Sequence, residues 1–139
     1  MPRIGTKRKG TKAERELFHL FWESGWGCAR IAGSGSTQRP SSDLVAANKE
    51  QKRLLAIECK AIGDNAKYFE PEELEQLAQF AAFMGAEPWF AMRFNREDWF
   101  FVRLEDVRQT EGGSFVISKE FAKEKGKKFS NLINSNTAI

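Results

Sequence analysis

The sequence predicts a single α/β domain, in which a central mixed β-sheet of about five strands is flanked by helices. Segments with strand and helix patterns alternate along the chain, in the order helix, three strands, helix, two strands, short strand, helix. The chain has 139 residues, 41% of them hydrophobic and 29% charged, which suits one globular core. We expect residues 11–133 to form the domain, residues 1–10 a flexible basic arm and residues 134–139 a frayed tail.

The first helix is predicted over about residues 12–24, ending before Gly25. Thr11 can cap it, and Glu14 completes a capping box. Glu14 lies at the edge of the buried face, where its carboxylate can look over the sheet. The alternative is an N-terminal acid favoured by the helix dipole. His19 lies on the opposite face and is interpreted as a surface histidine. The predicted buried face consists of Ala13, Leu17, Leu20, Phe21 and Ser24.

Three strands are expected next. The first covers residues 27–32 and is followed by a Gly- and Ser-rich loop over residues 33–42. Residues 43–47 and 53–62 then form two strands joined by a short polar turn, which favours a hairpin. A flexible loop directly before an acidic residue is more often functional than a mere connector.

The second helix is predicted to begin at Glu70–Pro71, with proline at its first position, and to end at Gly85. Its inner face consists of Leu74, Leu77, Ala78 and Ala81. A second stripe contains Gln76, Phe80, Phe83 and Met84. A helix that is apolar on two sides is covered on two sides, so another part of the chain or a second subunit should cover this stripe.

The last third of the chain predicts a hairpin of strands 88–94 and 99–104, joined by residues 95–98. Residues 114–117 are a candidate edge strand. Residues 118–133 form a basic, helix-capable segment that Gly126 interrupts.

The positive charge is unevenly distributed, although the net charge is only +3. Two basic clusters flank the acidic residues in the middle of the chain, which fits a polyanionic partner. The alternative is a solvated basic tail. The clusters contain Arg3, Lys7, Arg8, Lys9, Lys12 and Arg15 near the N-terminus, and Lys119, Lys123, Lys125, Lys127 and Lys128 near the C-terminus.

The two cysteines, Cys28 and Cys59, form neither a disulfide framework nor a set of zinc ligands, and are expected to be buried free thiols. The sequence contains no apolar stretch of membrane-spanning length and no signal-peptide pattern. We therefore expect a cytoplasmic protein.

Asp43, Glu58 and Lys60 form the most informative motif. Because strand residues alternate between faces, Glu58 and Lys60 should point the same way, beside Asp43 on the preceding strand. Carboxylates grouped on a sheet suit Mg²⁺, which also binds substrate phosphate. The carbonyl of Cys59 is a plausible ligand, and Glu14 a ligand of a second ion or its water shell. The motif indicates a metal-dependent phosphodiesterase; the alternative is a solvated ladder of salt bridges.

Several short motifs, in order, closely resemble the archaeal-type Holliday junction resolvases. They are KGTKAEREL at residues 9–17, ARIAGS at 29–34, DLVAAN at 43–48 and IECK at 57–60, and similarity continues at residues 77–88 and 91–94. The resemblance covers about residues 8–108. It implies the restriction-endonuclease-like PD-(D/E)xK fold. It also implies a homodimeric endonuclease that depends on Mg²⁺, with Mn²⁺ as a possible substitute, and places paired nicks across a four-way DNA junction.

The resemblance also assigns residues. It makes Glu14, Asp43, Glu58 and Lys60 the catalytic and metal set. Ser34 matches a loop serine near the cut strand, and Ser36 is a second candidate because this loop is longer than in the shortest members. Arg15 and Arg30 match basic residues of the family that are implicated in phosphate contact. With the other basic residues near the N-terminus and in the loop, the residues expected to contact DNA are Lys7, Arg8, Lys9, Lys12, Arg15, Arg30 and Arg39. Those expected at the dimer interface are Phe80, Phe83 and Met84.

Two other functions remain open from the sequence. One is a different DNA nuclease on the same fold, of the repair or restriction type. The other is a catalytically silent DNA-binding module. The expected partners are four-way junction DNA, a second copy of the chain and proteins of recombination.

Overall fold

The computed structural model describes residues 4–33 and 39–134. A three-residue 3-10 helix (Leu104–Asp106) connects the sixth strand to the seventh. In chain order the other elements are α1 (Ile4–Glu23), β1 (Gly27–Arg30), β2 (Leu44–Asn48), β3 (Arg53–Ile62), β4 (Ala66–Phe69), α2 (Pro71–Met84), β5 (Glu87–Phe94), β6 (Trp99–Arg103), β7 (Arg108–Gln109), β8 (Phe115–Ser118), α3 (Lys119–Lys125), β9 (Lys127–Lys128) and α4 (Phe129–Ile133).

The central sheet has six strands in the order β1-β2-β3-β5-β6-β9. β3 and β5 are parallel, and the other neighbours are antiparallel. The predicted mixed sheet flanked by helices is therefore confirmed, with six strands rather than about five. The additional strand is β9, whose two residues pair with Phe100 and Phe101 at the edge of the sheet.

Helix α1 begins earlier than expected. It starts at Ile4, so the prediction that Thr11 caps the helix is wrong. Lysine and arginine are good helix formers, and they outweigh the cost of Gly5 and Gly10. The predicted end is confirmed, because Gly25 has a φ of 85°, a left-handed conformation that favours glycine.

Strands β2 and β3 form the predicted hairpin. Their register pairs Leu44 with Ile57 and Asn48 with Arg53. Ile57 is fully buried in the core beneath α1, whereas its neighbour Ala56 belongs to the core on the other face. The strand alternation that the sequence predicts is therefore present.

Helix α2 matches its prediction closely. Glu70 caps it through a capping box with Glu73, and Gly85 ends it with a φ of 68°. Its inner face is buried through Leu74, Leu77 and Ala81. The described residues leave much of the second apolar stripe exposed: Phe83 is 87% exposed and Met84 48% exposed, while Phe80 is partly buried.

A second, three-stranded sheet was not predicted. It has the order β4-β8-β7, and β8 lies in its middle. The candidate edge strand at residues 114–117 therefore corresponds to Phe115–Ser118, but it does not extend the central sheet. β8 pairs instead with β4, which lies about fifty residues earlier in the chain, from Ala66 opposite Ser118 to Phe69 opposite Phe115.

The C-terminal segment is divided at Gly126, as predicted. A Cβ atom at this position would lie 2.4 Å from the carbonyl oxygen of Ala122, so only glycine fits without a shift. The segment consists of α3, strand β9 and the short helix α4 rather than two halves of one helix.

Two hydrophobic cores sandwich the central sheet. α1 and α4 pack on one face, and their side chains Leu17, Phe21 and Leu132 are buried in the core there. α2, α3 and the small sheet pack on the other face, where Leu77 of α2 and Phe69 of the small sheet are buried. None of the helices described here is long and apolar enough to cross a lipid bilayer.

Candidate active site

The candidate site lies where β2 begins beside the middle of β3. The backbone of Asp43 is held on both sides: its N–H donates to the carbonyl of Ile57 (3.0 Å), and its carbonyl accepts from Ile31 (2.9 Å). Its carboxylate oxygen Oδ2 accepts a hydrogen bond from the backbone N–H of Cys59 (2.8 Å). Asp43 directly precedes Leu44, which pairs with Ile57, and its charge acts on the carboxyl group of Glu58.

Lys60 connects two carboxylates. Its ammonium lies 3.7 Å from Oε2 of Glu58, which confirms that these residues share a face of β3. It also lies 3.5 Å from Oε1 of Glu73 in the first turn of α2. Glu73 was missed from the sequence, although its spacing from Glu70 marks it as part of a capping box. It therefore both caps α2 and positions the amine of Lys60.

Glu14 approaches the site from the other side of the sheet. It lies on α1, and its Oε1 is 3.4 Å from Nη2 of Arg30 on β1. Burial raises the pKa of Glu14, the charge of Asp43 raises it further, and Arg30 opposes both. The carboxyl groups of Glu14 on α1, Asp43 at the start of β2 and Glu58 in β3 thus interact electrostatically at the open end of the hairpin.

Glu58 has the most perturbed acidity of this group. Burial raises its pKa to about 8, with further contributions from the charges of Asp43, Glu73 and Glu14, while Lys60 lowers it. Crowded carboxylates that resist ionisation are stabilised by a cation, and their hard oxygen atoms suit a divalent ion. The donor set therefore fits a Mg²⁺-type site.

The side chains do not form a closed metal cage in this structure. Across residues 4–33 and 39–134, no three acidic, histidine or cysteine side chains lie close enough together to hold one ion. Glu14 is paired with Arg30, and Asp43 accepts from Cys59. The N–H and C=O of a strand residue point to the same side, so the Cys59 carbonyl faces the same gap as the N–H bound to Asp43. The metal set of Glu14, Asp43, Glu58 and Cys59 stays a prediction.

The remaining predicted residues are distributed as follows. Lys12, Arg15, Arg30 and Arg39 are exposed. His19 is exposed, Cys28 is buried and Cys59 is partly buried; both cysteines are free thiols. The loop serines Ser34 and Ser36 lie outside the described residues, and so do the side chains of Lys7, Arg8 and Lys9.

We expect divalent metal binding to strengthen as the pH rises towards 8. Glu58 must lose its proton before it can act as a ligand, so below its pKa of about 8 each bound ion releases one proton. The affinity for Mg²⁺ or Mn²⁺ should therefore rise about tenfold per pH unit between about pH 6 and 8 and then level off. Calorimetry in buffers of different ionisation enthalpy measures both the affinity and the released proton.

The same shift predicts that the metal-free protein loses stability as the pH rises. Folded Glu58 holds its proton up to about pH 8, whereas its ordinary pKa is near 4.5, so protons favour the folded state between these values. Glu58→Gln should remove this slope and the proton release together. Wild-type metal affinity that is constant from about pH 6 to 8 would contradict the assignment of Glu58 as a ligand.

The chain is similar to known proteins in sequence and in fold. Residues 5–138 match the family model described as archaeal Holliday junction resolvase. The crossover junction endodeoxyribonuclease Hjc of Archaeoglobus fulgidus is 38% identical over 105 residues, which are 76% of this chain and 76% of that protein. The crossover junction endodeoxyribonuclease Hjc of Methanocaldococcus jannaschii is 33% identical over 112 residues, or 81% of this chain and 77% of that protein.

The solved structure of A. fulgidus Hjc, a Holliday junction resolvase from an archaeal hyperthermophile, has a similar fold. It superimposes with a TM-score of 0.82 and 31% sequence identity, covering 90% of this chain and 98% of that one.

Proposed function

This chain belongs to the archaeal Holliday junction resolvase family, and we propose from this premise that it resolves four-way DNA junctions by paired, symmetric, Mg²⁺-dependent hydrolysis. It is a crossover junction endodeoxyribonuclease. The observation that carries the detailed proposal is the meeting of Asp43, Glu58 and Lys60 where β2 begins beside the middle of β3.

The proposed metal ligands are the carboxylates of Asp43 and Glu58 and the carbonyl of Cys59. A bound divalent ion would activate water and neutralise charge on the phosphate under attack. Glu14, whose Oε1 lies 3.4 Å from Nη2 of Arg30, would bind a second ion or the water shell of the first. Asp43 needs no rotation of the backbone for this role, because β1 and β3 both fix its main chain.

Lys60 is proposed to stabilise the charge that develops on the scissile phosphate. Its ammonium is held between Glu58 and Glu73, at 3.7 and 3.5 Å, and its side chain is 24% exposed. A partly buried amine fixed by two acids can donate to a phosphate oxygen with little reorganisation. Glu73 is a positioning residue in this scheme, because it reaches the phosphate only through Lys60.

The proposed assembly is a homodimer built on the exposed stripe of α2, which contains Phe80, Phe83 and Met84. Two opposed strands of a junction must be cut, and a two-fold dimer presents two equivalent sites in one geometry. This stripe contains two of the most exposed large apolar residues among those described, and soluble chains usually cover such patches.

The substrate proposal is tested by comparing a synthetic immobile four-way junction with a linear duplex of matched sequence. We expect Mg²⁺-dependent cutting of the junction at paired, symmetric positions and little cutting of the duplex. Selection would then rest on shape and backbone position rather than on base edges. Equal rates on both substrates would favour a repair or restriction-type nuclease on the same fold.

The basic start of α1 is expected to supply part of the DNA affinity. Replacing Lys7, Arg8 and Lys9 with alanine keeps good helix formers but removes three positive charges. Each lost phosphate contact lowers the slope of log affinity against log salt by about 0.9, so the slope should fall by up to about 3. Binding titrations from about 50 to 200 mM salt measure this change.

A matched control for this triple variant replaces Lys49 and Lys52 with alanine. Both are exposed in the turn at the other end of the β2–β3 hairpin, away from Asp43 and Glu58. The control should leave the slope unchanged. An unchanged slope in the triple variant would exclude the start of α1 from the DNA-binding surface.

A further inference from the structure

Trp22 is an exposed aromatic residue that the catalytic site does not use. The chain has four tryptophans, and three of them, Trp26, Trp89 and Trp99, are only 2, 3 and 7% exposed. Trp22 is 55% exposed on the last turns of α1. A single exposed apolar residue is ordinary, so its setting decides whether it has a role.

The ring of Trp22 is held in place although it faces solvent. Its indole N–H donates to the carbonyl of Cys28 on β1 (2.9 Å). Phe18, one turn earlier on α1, contacts it in an edge-to-face arrangement with ring centroids 6.5 Å apart. A fixed aromatic face loses little conformational entropy when a flat ligand stacks on it.

Positive charge lies further along α1 from this ring, towards the start of the helix. Arg15, Phe18 and Trp22 have the i, i+3, i+7 spacing of one helix face. Arg15 and Lys12 are exposed. Arg30, next but one to Cys28 on β1, is also exposed, although it is paired with Glu14. Basic side chains followed by aromatic rings along one helix suit a nucleic acid, because the basic groups can bind its phosphates and the rings can stack on its bases.

This surface is continuous with the candidate active site. β1 runs beside α1 so that Arg30 meets Glu14 while Cys28 meets Trp22. At a rise of about 1.5 Å per residue, Trp22 lies about 12 Å along α1 from Glu14. About three to four nucleotides of duplex span that distance. The exposed stripe of α2 lies on the opposite side of the sheet, so a dimer formed there leaves Trp22 accessible.

We propose that Trp22 forms a stacking platform for a nucleobase exposed at the branch point of the junction, while Arg15 and Lys12, further along α1, contact the phosphates that lead to it. The bases of an intact duplex cover one another, and only a base that has lost a neighbour offers its face to an aromatic ring. The platform therefore adds affinity for branched over linear DNA. This inference rests on the proposed function, because it takes junction DNA as the ligand.

The test compares Trp22→Ala with Trp22→Phe, using a four-way junction and a matched duplex without divalent metal. Both variants lose the hydrogen bond to Cys28, but only the alanine variant loses the ring. Stacking on one aromatic residue contributes about 1–3 kcal/mol per base, so Trp22→Ala should bind the junction about 5- to 150-fold more weakly. Trp22→Phe should stay within about threefold of the wild type, and duplex binding should change little in both.

Two further readouts separate stacking from other effects. The loss in Trp22→Ala should be similar at every salt concentration, whereas Arg15→Ala should flatten the salt slope. Junction binding should quench the fluorescence of the exposed tryptophan in the wild type, and this quenching should be absent in Trp22→Phe.

Wild-type junction affinity in Trp22→Ala would overturn the inference, and so would an equal loss in the alanine and phenylalanine variants. Neither result touches the proposed function. That function fails separately, if the wild-type protein with Mg²⁺ does not distinguish the junction from the duplex.

Discussion

Asp43→Asn and Glu58→Gln are each expected to lower the rate of junction cleavage by at least about 100-fold while junction binding is retained. Both substitutions keep the size of the side chain and remove the charge that a divalent ion requires. The amide oxygen of the asparagine would still accept the hydrogen bond from Cys59, so the hairpin should remain in place. Cleavage of labelled junction under single-turnover conditions with Mg²⁺ measures the loss, and titration without metal measures binding.

Glu50→Gln is the matched control for these variants. Glu50 is exposed in the turn between β2 and β3, at the end of the hairpin away from Asp43. It should cut junctions at the wild-type rate. Unchanged cutting by Asp43→Asn or Glu58→Gln would refute the assigned site. A wild-type protein that binds junctions but never cuts them would identify the chain as a silent DNA-binding module.

In the proposed homodimer, Phe83→Glu is expected to separate the two subunits and to abolish paired incision. Phe83 is 87% exposed in one chain, so the substitution should not harm the fold of the monomer. Burial of a phenylalanine side chain contributes about 1.5–3 kcal/mol. Because a two-fold interface contains each contact twice, the dimer should dissociate about 10²- to 10⁴-fold more readily. Mass measurement in solution and the ratio of paired to single nicks report the change.

Phe83→Leu is the matched control for this variant. It keeps an apolar side chain at the proposed interface and should remain dimeric. Phe80→Glu tests the same stripe at a position that is partly buried, so its thermal stability must be measured alongside its mass. A Phe83→Glu protein that is still a dimer would remove the α2 stripe from the proposed interface.

Much of the fold could be predicted from local patterns. Helix α2 has a proline at its start, a glycine directly after its end and a clear apolar face. Its observed bounds agree with the bounds that these residues predict. The β2–β3 hairpin and the β5–β6 hairpin follow from alternating residues around short polar turns. The start of α1 was missed because the two early glycines suggested a flexible arm. The capping pattern at Thr11 also occurs inside a helix that begins at Ile4.

Local sequence patterns also predicted part of the candidate site. The alternation of β3 places Glu58 and Lys60 on one face, and the hairpin brings Asp43 beside Glu58. The pairing of Lys60 with Glu73, and that of Glu14 with Arg30, required the packing of α2 and α1 on opposite faces of the sheet. Lys60 and Glu73 are 13 positions apart in the sequence, and Glu14 and Arg30 are 16 positions apart. Each pair meets only because its helix packs against its strand in one particular orientation.

By itself the sequence determined the two long helices and the long strands of the central sheet, which side of each is apolar, and that two acids and an amine share a hairpin. These properties depend on residues close together in the chain, where backbone periodicity fixes direction. The tertiary structure alone decided the β4–β8–β7 sheet, the addition of β9 to the central sheet, the approach of Glu14 and the raised pKa of Glu58. Each of these depends on contacts between distant segments, and on the burial that those contacts produce.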